Sequence, residues 1–366
     1  MLKNVSDLLS HAENLTDSVR LVDRILRAGL LSRASDIHFD PSADSVRVRF
    51  RVDGILEDAL RIPSHMQAAV VSRLKVLASL DIAERRAPQD GGFTWRMSGE
   101  GAFSSPPLDV RMATLPVRHG ERVTLRLLET LSQRLSIDAL GMNEADREVF
   151  QSVLMRPHGL VLLTGPTGSG KTTTLYAAIR ELLKGEALNI ITVEDPIEYE
   201  IPGVAQAEVD SADKVNFGKA LRSLLRHDPD VVMIGEIRDA ESLDAAVKAA
   251  LTGHLVLSTL HTNDAKSTAA RLVDMGLDSN LLPATLRLAV AQRLVRRLCP
   301  ECREKGVDGY VPKGCEHCGG RGYRGRIGIF EMYSPESGLS TSMADDAQSK
   351  VDLGITSRAE VFRVLG

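Results

Sequence analysis

The segment 160–172 constrains the fold more than any other part of the chain, and it reads Leu-Val-Leu-Leu-Thr-Gly-Pro-Thr-Gly-Ser-Gly-Lys-Thr. An apolar run leads into the pattern G-x-x-x-x-G-K-[ST], which is typical of a phosphate-binding loop (P-loop) between a buried strand and a helix. Glycines let backbone N–H groups turn towards phosphate oxygens, and the positive end of the following helix adds to the anion site. The sequence therefore predicts a nucleoside triphosphate site, against the alternative of a chance glycine turn.

The predicted nucleotide-binding residues form one continuous loop. We expect the charge of Lys171 to contact the β- and γ-phosphates of ATP, and the hydroxyl of Thr172 to bind Mg²⁺. The full predicted set is Gly165, Pro166, Thr167, Gly168, Ser169, Gly170, Lys171, Thr172 and Thr173.

The composition is that of a soluble protein with a core large enough for at least two domains, because the 366 residues are 43% hydrophobic and 26% charged. The net charge of −4 argues against a dedicated nucleic-acid binder. The first residues lack the apolar core of a signal peptide, and no run approaches about 18 apolar residues. We expect a cytosolic protein that reaches a membrane only through a partner.

The four cysteines of the chain predict a structural zinc site. They form two C-x-x-C pairs within twenty residues, Cys299 with Cys302 and Cys315 with Cys318. Four thiolates suit tetrahedral Zn²⁺ and leave no open position for catalysis. Unliganded thiols or a pair of disulfides are the alternatives, and we expect His317, between the second pair, to be a bystander.

The first part of the chain reads as a small α+β domain. Valines and Phe50 alternate with arginines over 46–52, and Asp53-Gly54 follows as a hairpin turn. Apolar residues at helical spacing predict a helix from Asp17. The other predicted elements are a helix at 64–80 and strands at 108–116 and 122–128.

The second part reads as an α/β domain. Short apolar runs alternate with helical segments, which is the pattern of a parallel sheet covered on both faces. The predicted strands are 160–164, 189–194, 231–234 and 255–259. The predicted organisation is thus a domain at 1–130, a linker at 131–141, and a domain at 142–366 that includes the zinc segment 299–318. The last forty residues contain two weak helices, and 334–350 is polar and poor in pattern.

Acidic residues follow two of these strands. Glu194 and Asp195 end one of them, at the sheet edge where ligands bind in open α/β folds, although a helix cap or a turn before Pro196 would also explain them. Glu236 ends the strand that follows the P-loop in Walker B fashion, and we expect it to activate the attacking water. Arg238 and Asp239, which come next, are expected to be structural or interfacial.

Two histidines lie at the ends of the strand at 255–259. His261, at the carboxyl end, is a candidate for contact with the γ-phosphate. His254, at the other end, is a weaker one. A lone histidine is more often a hydrogen-bonded core residue than a residue that contacts the substrate. For each histidine, a structural role and a functional role therefore both stay open.

These segments together resemble the ATPases of type II secretion and type IV pilus assembly. The resemblance runs from Asp17 to Glu331 and rests, in the second part, on the P-loop, the Glu194-Asp195 "Asp box", the Gly235-Glu236 Walker B segment and the His261 "His box". In the first part it rests on Ala34-Ser-Asp-Ile-His-Phe-Asp-Pro, Arg49-Phe-Arg-Val-Asp-Gly-Ile-Leu, Leu80-Asp-Ile-Ala-Glu-Arg-Arg-Ala-Pro-Gln-Asp-Gly and Gly120-Glu-Arg-Val-Thr-Leu-Arg-Leu-Leu. The segment 314–331 also resembles the zinc segment of this family.

The resemblance implies a RecA-like P-loop ATPase domain preceded by a PAS-like domain, assembled as a homo-hexameric ring. Arg111 and Arg126 match the arginines of the N-terminal domain that close over ATP, and Arg271 is a further candidate. Catalysis would then depend on Lys171, Glu194, Glu236, His261 and these two N-terminal arginines. Many relatives carry an additional N-terminal domain that docks onto a membrane partner, and we expect it to be missing here.

The zinc segment separates functions within this family, because retraction and conjugation ATPases usually lack it. The resemblance therefore implies a motor that powers protein export by a type II secretion system through pseudopilus assembly. Its expected partners are platform and cytoplasmic-domain proteins at the inner membrane, with ATP, Mg²⁺ and Zn²⁺ as cofactors and no direct contact with nucleic acid. The alternatives are a type IV pilus assembly ATPase, a DNA-uptake or conjugation motor, and a non-hydrolysing structural subunit.

Overall fold

The computed structural model describes most of the chain, which divides into two compact units. The described residues are 5, 8–9, 17–97, 107–128, 136–185, 187–209, 217–307, 309–339 and 341–366. The first unit comprises Met1–Ser132 and Lys313–Arg324, and the second comprises Gln133–Pro312 and Gly325–Gly366. The first half of the predicted linker 131–141 lies outside the described residues, so the predicted domain boundaries stay a prediction.

The first unit contains a six-stranded antiparallel sheet with the order β3-β2-β1-β6-β5-β4. Its strands are β1 (Ala34–Pro41), β2 (Ser45–Val52), β3 (Ile55–Pro63), β4 (Gln89–Trp95), β5 (Leu108–Val117) and β6 (Gly120–Leu128). The predicted hairpin is confirmed, because Asp53 and Gly54 join β2 to β3 with φ angles of 49° and 87°. The strands β1 and β4 were not predicted; β4 contains Gly91 and Gly92, which have low β-propensity.

Of the helices whose bounds the structure describes, two contribute to the core of this unit, α1 (Ser18–Leu31) and α2 (Gln67–Leu77). Asp17 caps α1 by accepting a hydrogen bond from the backbone N–H of Val19 at 2.9 Å. The predicted helix at 64–80 is shorter than expected, because Ser64–Met66 forms a 3₁₀ turn before α2 begins. Helices and sheet together bury one hydrophobic cluster, so the small α+β character of this part is confirmed.

The second unit contains an eight-stranded sheet with the order β16-β15-β12-β7-β11-β10-β8-β9. Its strands are β7 (Gly159–Thr164), β8 (Ile190–Glu194), β9 (Ala205–Glu208), β10 (Val231–Ile234), β11 (Leu255–Leu260), β12 (Leu286–Leu298), β15 (Tyr323–Ser334) and β16 (Gly338–Leu339). The four predicted strands are confirmed as β7, β8, β10 and β11, and they are parallel. A separate hairpin consists of β13 (Glu304–Gly306) and β14 (Gly309–Val311).

Both faces of this sheet are covered, as the alternating pattern predicts. Leu160 and Leu162 of β7 belong to one hydrophobic cluster, while Val161 and Leu163 belong to another. The helices of the unit are α3 (Glu144–Leu154), α4 (Lys171–Leu182), α5 (Phe217–Leu224), α6 (Ala240–Leu251), α7 (Ala265–Asp274), α8 (Leu282–Thr285), α9 (Met343–Asp352) and α10 (Arg358–Leu365). None of the described helices has the length and apolar character needed to cross a bilayer.

The two weak C-terminal helices are confirmed as α9 and α10, and the polar segment 334–350, which includes most of α9, is more ordered than its pattern indicates. Ser342 caps α9 through a hydrogen bond from the backbone N–H of Asp345 at 3.1 Å. Asp346 and Lys350 are buried and form an ion pair at 2.5 Å. A hydropathy pattern does not identify α9 as a core helix, because the paired charges of Asp346 and Lys350 occupy buried positions that apolar residues usually fill.

Candidate functional site

The P-loop joins a fully buried strand to a helix, as the sequence predicts. The strand β7 ends at Thr164, and α4 begins at Lys171. Gly165 allows close approach, because a Cβ on it would lie 2.5 Å from the carbonyl oxygen of Gln292. Gly170 precedes α4 with a φ angle of 92°, in the left-handed region that favours glycine. The loop thus takes a backbone shape that these glycines make possible.

Lys171 lies over the start of the loop. Its Nζ donates to the carbonyl oxygens of Gly165 at 2.7 Å and of Pro166 at 3.2 Å. Burial and then the charge of Arg293 lower the pKa of Lys171. A bound anion would offset both causes of this lowering and favour the charged form of Lys171, which is the form that binds phosphate.

The remaining loop residues divide by exposure. Pro166, Thr167 and Thr172 are exposed, so the hydroxyl of Thr172 is accessible to a metal ion. Ser169 is buried, and among the described residues its Oγ has no hydrogen-bond partner. A buried hydroxyl without a partner is costly, so its position within the loop fits a phosphate oxygen as the missing partner. The loop residues therefore fit a bound nucleotide with Mg²⁺.

Glu194 ends β8 and is buried, with both of its oxygens engaged. Oε1 accepts from Thr192 at 2.7 Å and from Gln206 at 3.0 Å, and Oε2 accepts from the hydroxyl of Tyr176. Burial and then the neighbouring carboxylate raise the pKa of Tyr176, which keeps that hydroxyl protonated as a donor. Because Tyr176 lies on α4, Glu194 ties its strand to the helix that follows the P-loop.

Glu236 and His261 lie together at the ends of the neighbouring strands β10 and β11. Nε2 of His261 lies 3.4 Å from Oε2 of Glu236, whose side chain is 23% exposed. Partial burial and then Lys171 lower the pKa of His261, so its ring is neutral at pH 7. Arg238 contacts Glu236 and also Asp195, the latter at 3.2 Å. The predicted catalytic glutamate thus stands among polar groups that can orient a water molecule.

The order of the strands explains why these residues lie near one another. The neighbours β7, β11, β10 and β8 are parallel, so their carboxyl ends meet at one edge of the sheet. The P-loop, His261, Glu236 and Glu194 follow these four strands in that order. His254 lies at the opposite end of β11 and contacts the carbonyl oxygen of Ala249 at 3.0 Å, so it is a structural residue. Arg271 is exposed on α7, and its proposed role stays a prediction.

In the first unit, the predicted arginines belong to a row of charges that crosses the sheet. Arg111 of β5 lies directly opposite Arg126 of β6, and Arg126 lies opposite Asp36 of β1. Asp36 accepts from Nε of Arg126 at 3.1 Å and also lies opposite Arg51 of β2. Opposed like charges destabilise a sheet. The direct pair of Arg111 and Arg126 therefore places two like charges side by side in this row, and the predicted role of both arginines stays a prediction.

The four cysteines lie together, which fits the predicted zinc site. Their Sγ atoms all lie within 4.8 Å of one another, and none forms a disulfide. The Cys315 and Cys318 sulfurs are 3.8 Å apart, which equals the spacing of about 3.8 Å that tetrahedral Zn–S bonds of about 2.3 Å require. The backbone N–H groups of Cys315 and Gly322 donate to the Cys318 sulfur at 3.2 and 3.1 Å. The disulfide alternative is wrong, and His317 is outside the cluster, with its ring beside Arg324.

Several residues of the site were not predicted from the sequence. Gln292 of β12 accepts from the hydroxyl of Thr174 at 2.8 Å, which supports the start of α4. Arg293 lies beside Gly165, and Tyr176 and Gln206 hold Glu194. The available signal was weak: a glutamine and an arginine in the middle of β12, a strand that also contains Arg287, Arg296 and Arg297.

Comparison with known proteins places the chain among secretion proteins. The statistical model of the family described as Type II/IV secretion system protein matches residues 11–362. The type II secretion system protein E of Dickeya dadantii is 44% identical over 98% of this chain and 78% of its own length. The type II secretion system ATPase E of Vibrio cholerae is 43% identical over 98% of this chain and 77% of its own length.

A pilus protein and a solved structure are also similar. The type IV pilus assembly ATPase PilB of Myxococcus xanthus is 43% identical over 97% of this chain and 66% of its own length. The X-ray structure of the Legionella pneumophila ATPase DotB matches with a TM-score of 0.70 and 24% identity, over 93% of this chain and 94% of that one. The latter likeness concerns the fold alone.

Proposed function

We propose, because the chain belongs to the family of type II/IV secretion system proteins, that it is the hexameric ATP-hydrolysing motor of a type II secretion system. The observation that carries this proposal is the meeting of Lys171, Glu236 and His261 at one edge of a parallel sheet. A relative named type II secretion system ATPase E is 43% identical to this chain over 98% of the chain's residues. The family thus makes the chain an ATPase.

In the proposed reaction, the P-loop holds the phosphates and Lys171 neutralises their charge. Thr172 would hold Mg²⁺, which stabilises the charge that develops on the phosphoryl oxygens. Glu236 accepts a hydrogen bond from the attacking water, and the ring of His261 lies beside it at 3.4 Å. Glu194 acts as a positioning residue in this scheme, because Tyr176, Thr192 and Gln206 already occupy its oxygens.

Arg111 and Arg126 supply the cations that respond to the state of the nucleotide. An arginine that contacts ATP and ADP differently shifts the balance between two domain arrangements, which converts hydrolysis into movement. The like-charge pair formed by these two residues across β5 and β6 supports this role, because a bound anion would relieve it.

Zinc has a structural role in the proposal. Cys299, Cys302, Cys315 and Cys318 would hold one ion with all four of its positions filled. Metal binding fixes two chain segments that have few apolar residues of their own, so its free energy contributes directly to folding.

The proposed place of work is the cytoplasmic face of the inner membrane, where platform and cytoplasmic-domain proteins of the secretion machine bind the hexamer. Type IV pilus assembly is the second candidate, favoured by the 43% identity to a pilus assembly ATPase. The two functions use the same ATPase chemistry and differ in the protein subunits that the motor assembles.

The test uses the source organism with its own copy of the gene replaced by the variant. Lys171→Ala removes the charge that holds the phosphates, so we expect ATP affinity to fall at least about 100-fold and secreted proteins to stay in the cell. Lys184→Ala is the control, because this exposed lysine pairs only with Glu181 among the described residues. Secretion by the Lys171→Ala strain would contradict the proposal, and loss of pili with normal secretion would favour the second candidate.

A further inference from the structure

Arg293 is a cation beside the P-loop that the sequence patterns did not identify. It lies on β12, the strand next to β7. Its Nη1 atom would lie 3.1 Å from a Cβ on Gly165, so the guanidinium packs against the first glycine of the loop. Nη1 donates to the carbonyl oxygen of Gln292 at 3.1 Å, and Nη2 donates to that of Asn263 at 2.9 Å.

Among the described residues, no carboxylate lies within ion-pair distance of this guanidinium. The two acids that act on its pKa, Glu331 and Asp264, are used elsewhere. Asp264 caps α7 by accepting from the backbone N–H of Ser267 at 2.6 Å, and Glu331 accepts from that of Ala265 at 2.9 Å. A half-buried cation without a counterion is unfavourable. The arrangement therefore leaves a positive charge, with N–H groups to spare, next to Lys171.

Three positive or polar side chains converge on the backbone of Gly165. Nζ of Lys171 donates to its carbonyl oxygen at 2.7 Å, the ring of His261 interacts with the same backbone, and Arg293 packs against the same residue. A P-loop lysine reaches the β- and γ-phosphates, so groups around the same carbonyl are close to the end of the phosphate chain. The buried Oγ of Ser169, without a partner among the described residues, faces this part of the loop, 2.7 Å from a Cβ on Gly165.

We propose that Arg293 binds the terminal phosphate of ATP and connects it, through the carbonyl group of Asn263, to the segment 261–264 that leads into α7. This inference rests on nucleotide binding at the P-loop, which Lys171→Ala tests separately. ADP lacks the γ-phosphate and so loses this contact, which leaves Arg293 held by backbone carbonyls alone. Hydrolysis thereby changes the contacts of the residue that holds the segment before α7, the helix that carries Arg271.

The test compares triphosphate and diphosphate affinity. Purified chain is titrated with a fluorescent non-hydrolysable ATP analogue and with fluorescent ADP, for the natural chain and for Arg293→Gln. A charge-assisted hydrogen bond to phosphate predicts a loss of about tenfold or more in affinity for the ATP analogue. We expect ADP affinity to stay within about twofold, because ADP does not reach the guanidinium.

Three further variants complete the experiment. Arg293→Lys keeps the charge but not the two-nitrogen geometry, so it should give an intermediate ratio of ATP to ADP affinity. Arg297→Gln, an exposed position on the same strand, should keep the natural ratio. An unchanged ratio in Arg293→Gln overturns the inference, as does an equal loss for both nucleotides. If Arg293→Gln does not fold, the ratio of ATP to ADP affinity in Arg293→Lys decides: a lowered ratio supports the inference, and the natural ratio overturns it. Lys171→Ala that still binds ATP would instead contradict the proposed site.

Discussion

Glu194 and Glu236 both end strands at the same edge of the sheet, and their surroundings give them different tasks. Glu194 is buried and accepts three hydrogen bonds, so it has little capacity left to bind a water molecule. Glu236 is partly exposed and faces the neutral ring of His261. The sequence predicted both as catalytic, Glu194 as part of the Asp box at a strand end and Glu236 as part of the Walker B segment. Their difference depends on Tyr176 and Gln206, which the fold brings from 18 and 12 residues away.

His38 of β1 should contribute to the pH dependence of the protein's stability. Its Nδ1 lies 3.2 Å from the hydroxyl of Thr124, and its Nε2 is buried without a partner among the described residues. Burial lowers the pKa of His38 below 6.5, its value in the unfolded chain. The folded state then binds fewer protons, so stability is present above pH 6.5 and is lost as the pH falls below it.

We therefore expect the unfolding temperature of the natural chain to fall between pH 7.5 and pH 5.5, and less so in His38→Gln. Carboxylates with lowered pKa values, such as Glu360, titrate below this window. His119→Gln is the matched control, because His119 is an exposed turn residue of the same unit and should leave the slope unchanged. Equal pH slopes for the natural chain and His38→Gln, measured by thermal denaturation, would refute this origin of the acid sensitivity.

At the scale of elements, the sequence predicted the strands that glycine, proline or acidic residues delimit. β7, β8, β10 and β11 are short apolar runs, so their burial on both faces is visible in the composition. β12 escaped prediction because its 13 residues mix apolar positions with Gln292, Arg293 and further arginines. Most of those polar residues contact the P-loop and other segments that are distant in sequence. A local sequence pattern cannot show such contacts, so it does not identify the strand.

The cysteine segments are the element whose stability should depend most on a bound ion. We expect purified chain to carry about one zinc ion per chain, measured by elemental analysis. Chelation or Cys318→Ser should lower the unfolding temperature by several degrees, because metal binding contributes to folding. His317→Gln should keep the metal, since this ring lies beside Arg324 and outside the sulfur cluster. Metal-free protein with an unchanged unfolding temperature would contradict the structural role.

At the scale of the whole molecule, the chain combines two units with different chemistry. The second unit contains the P-loop and the acidic residue proposed to activate water, while the first presents a row of arginines across its sheet. In the proposed function, cations that distinguish ATP from ADP would couple hydrolysis to movement, which separates a motor from a simple nucleotide-binding protein.

The most direct measurement is ATP hydrolysis by the purified chain, compared with Glu236→Gln. This variant keeps the size of the side chain but removes the carboxylate that orients water, so turnover should fall at least about 100-fold. Affinity for ATP should change by less than about threefold, because Lys171 and the P-loop remain. Glu148→Gln, exposed on α3, is the control and should keep full turnover. Turnover by Glu236→Gln close to that of the natural chain would contradict the account.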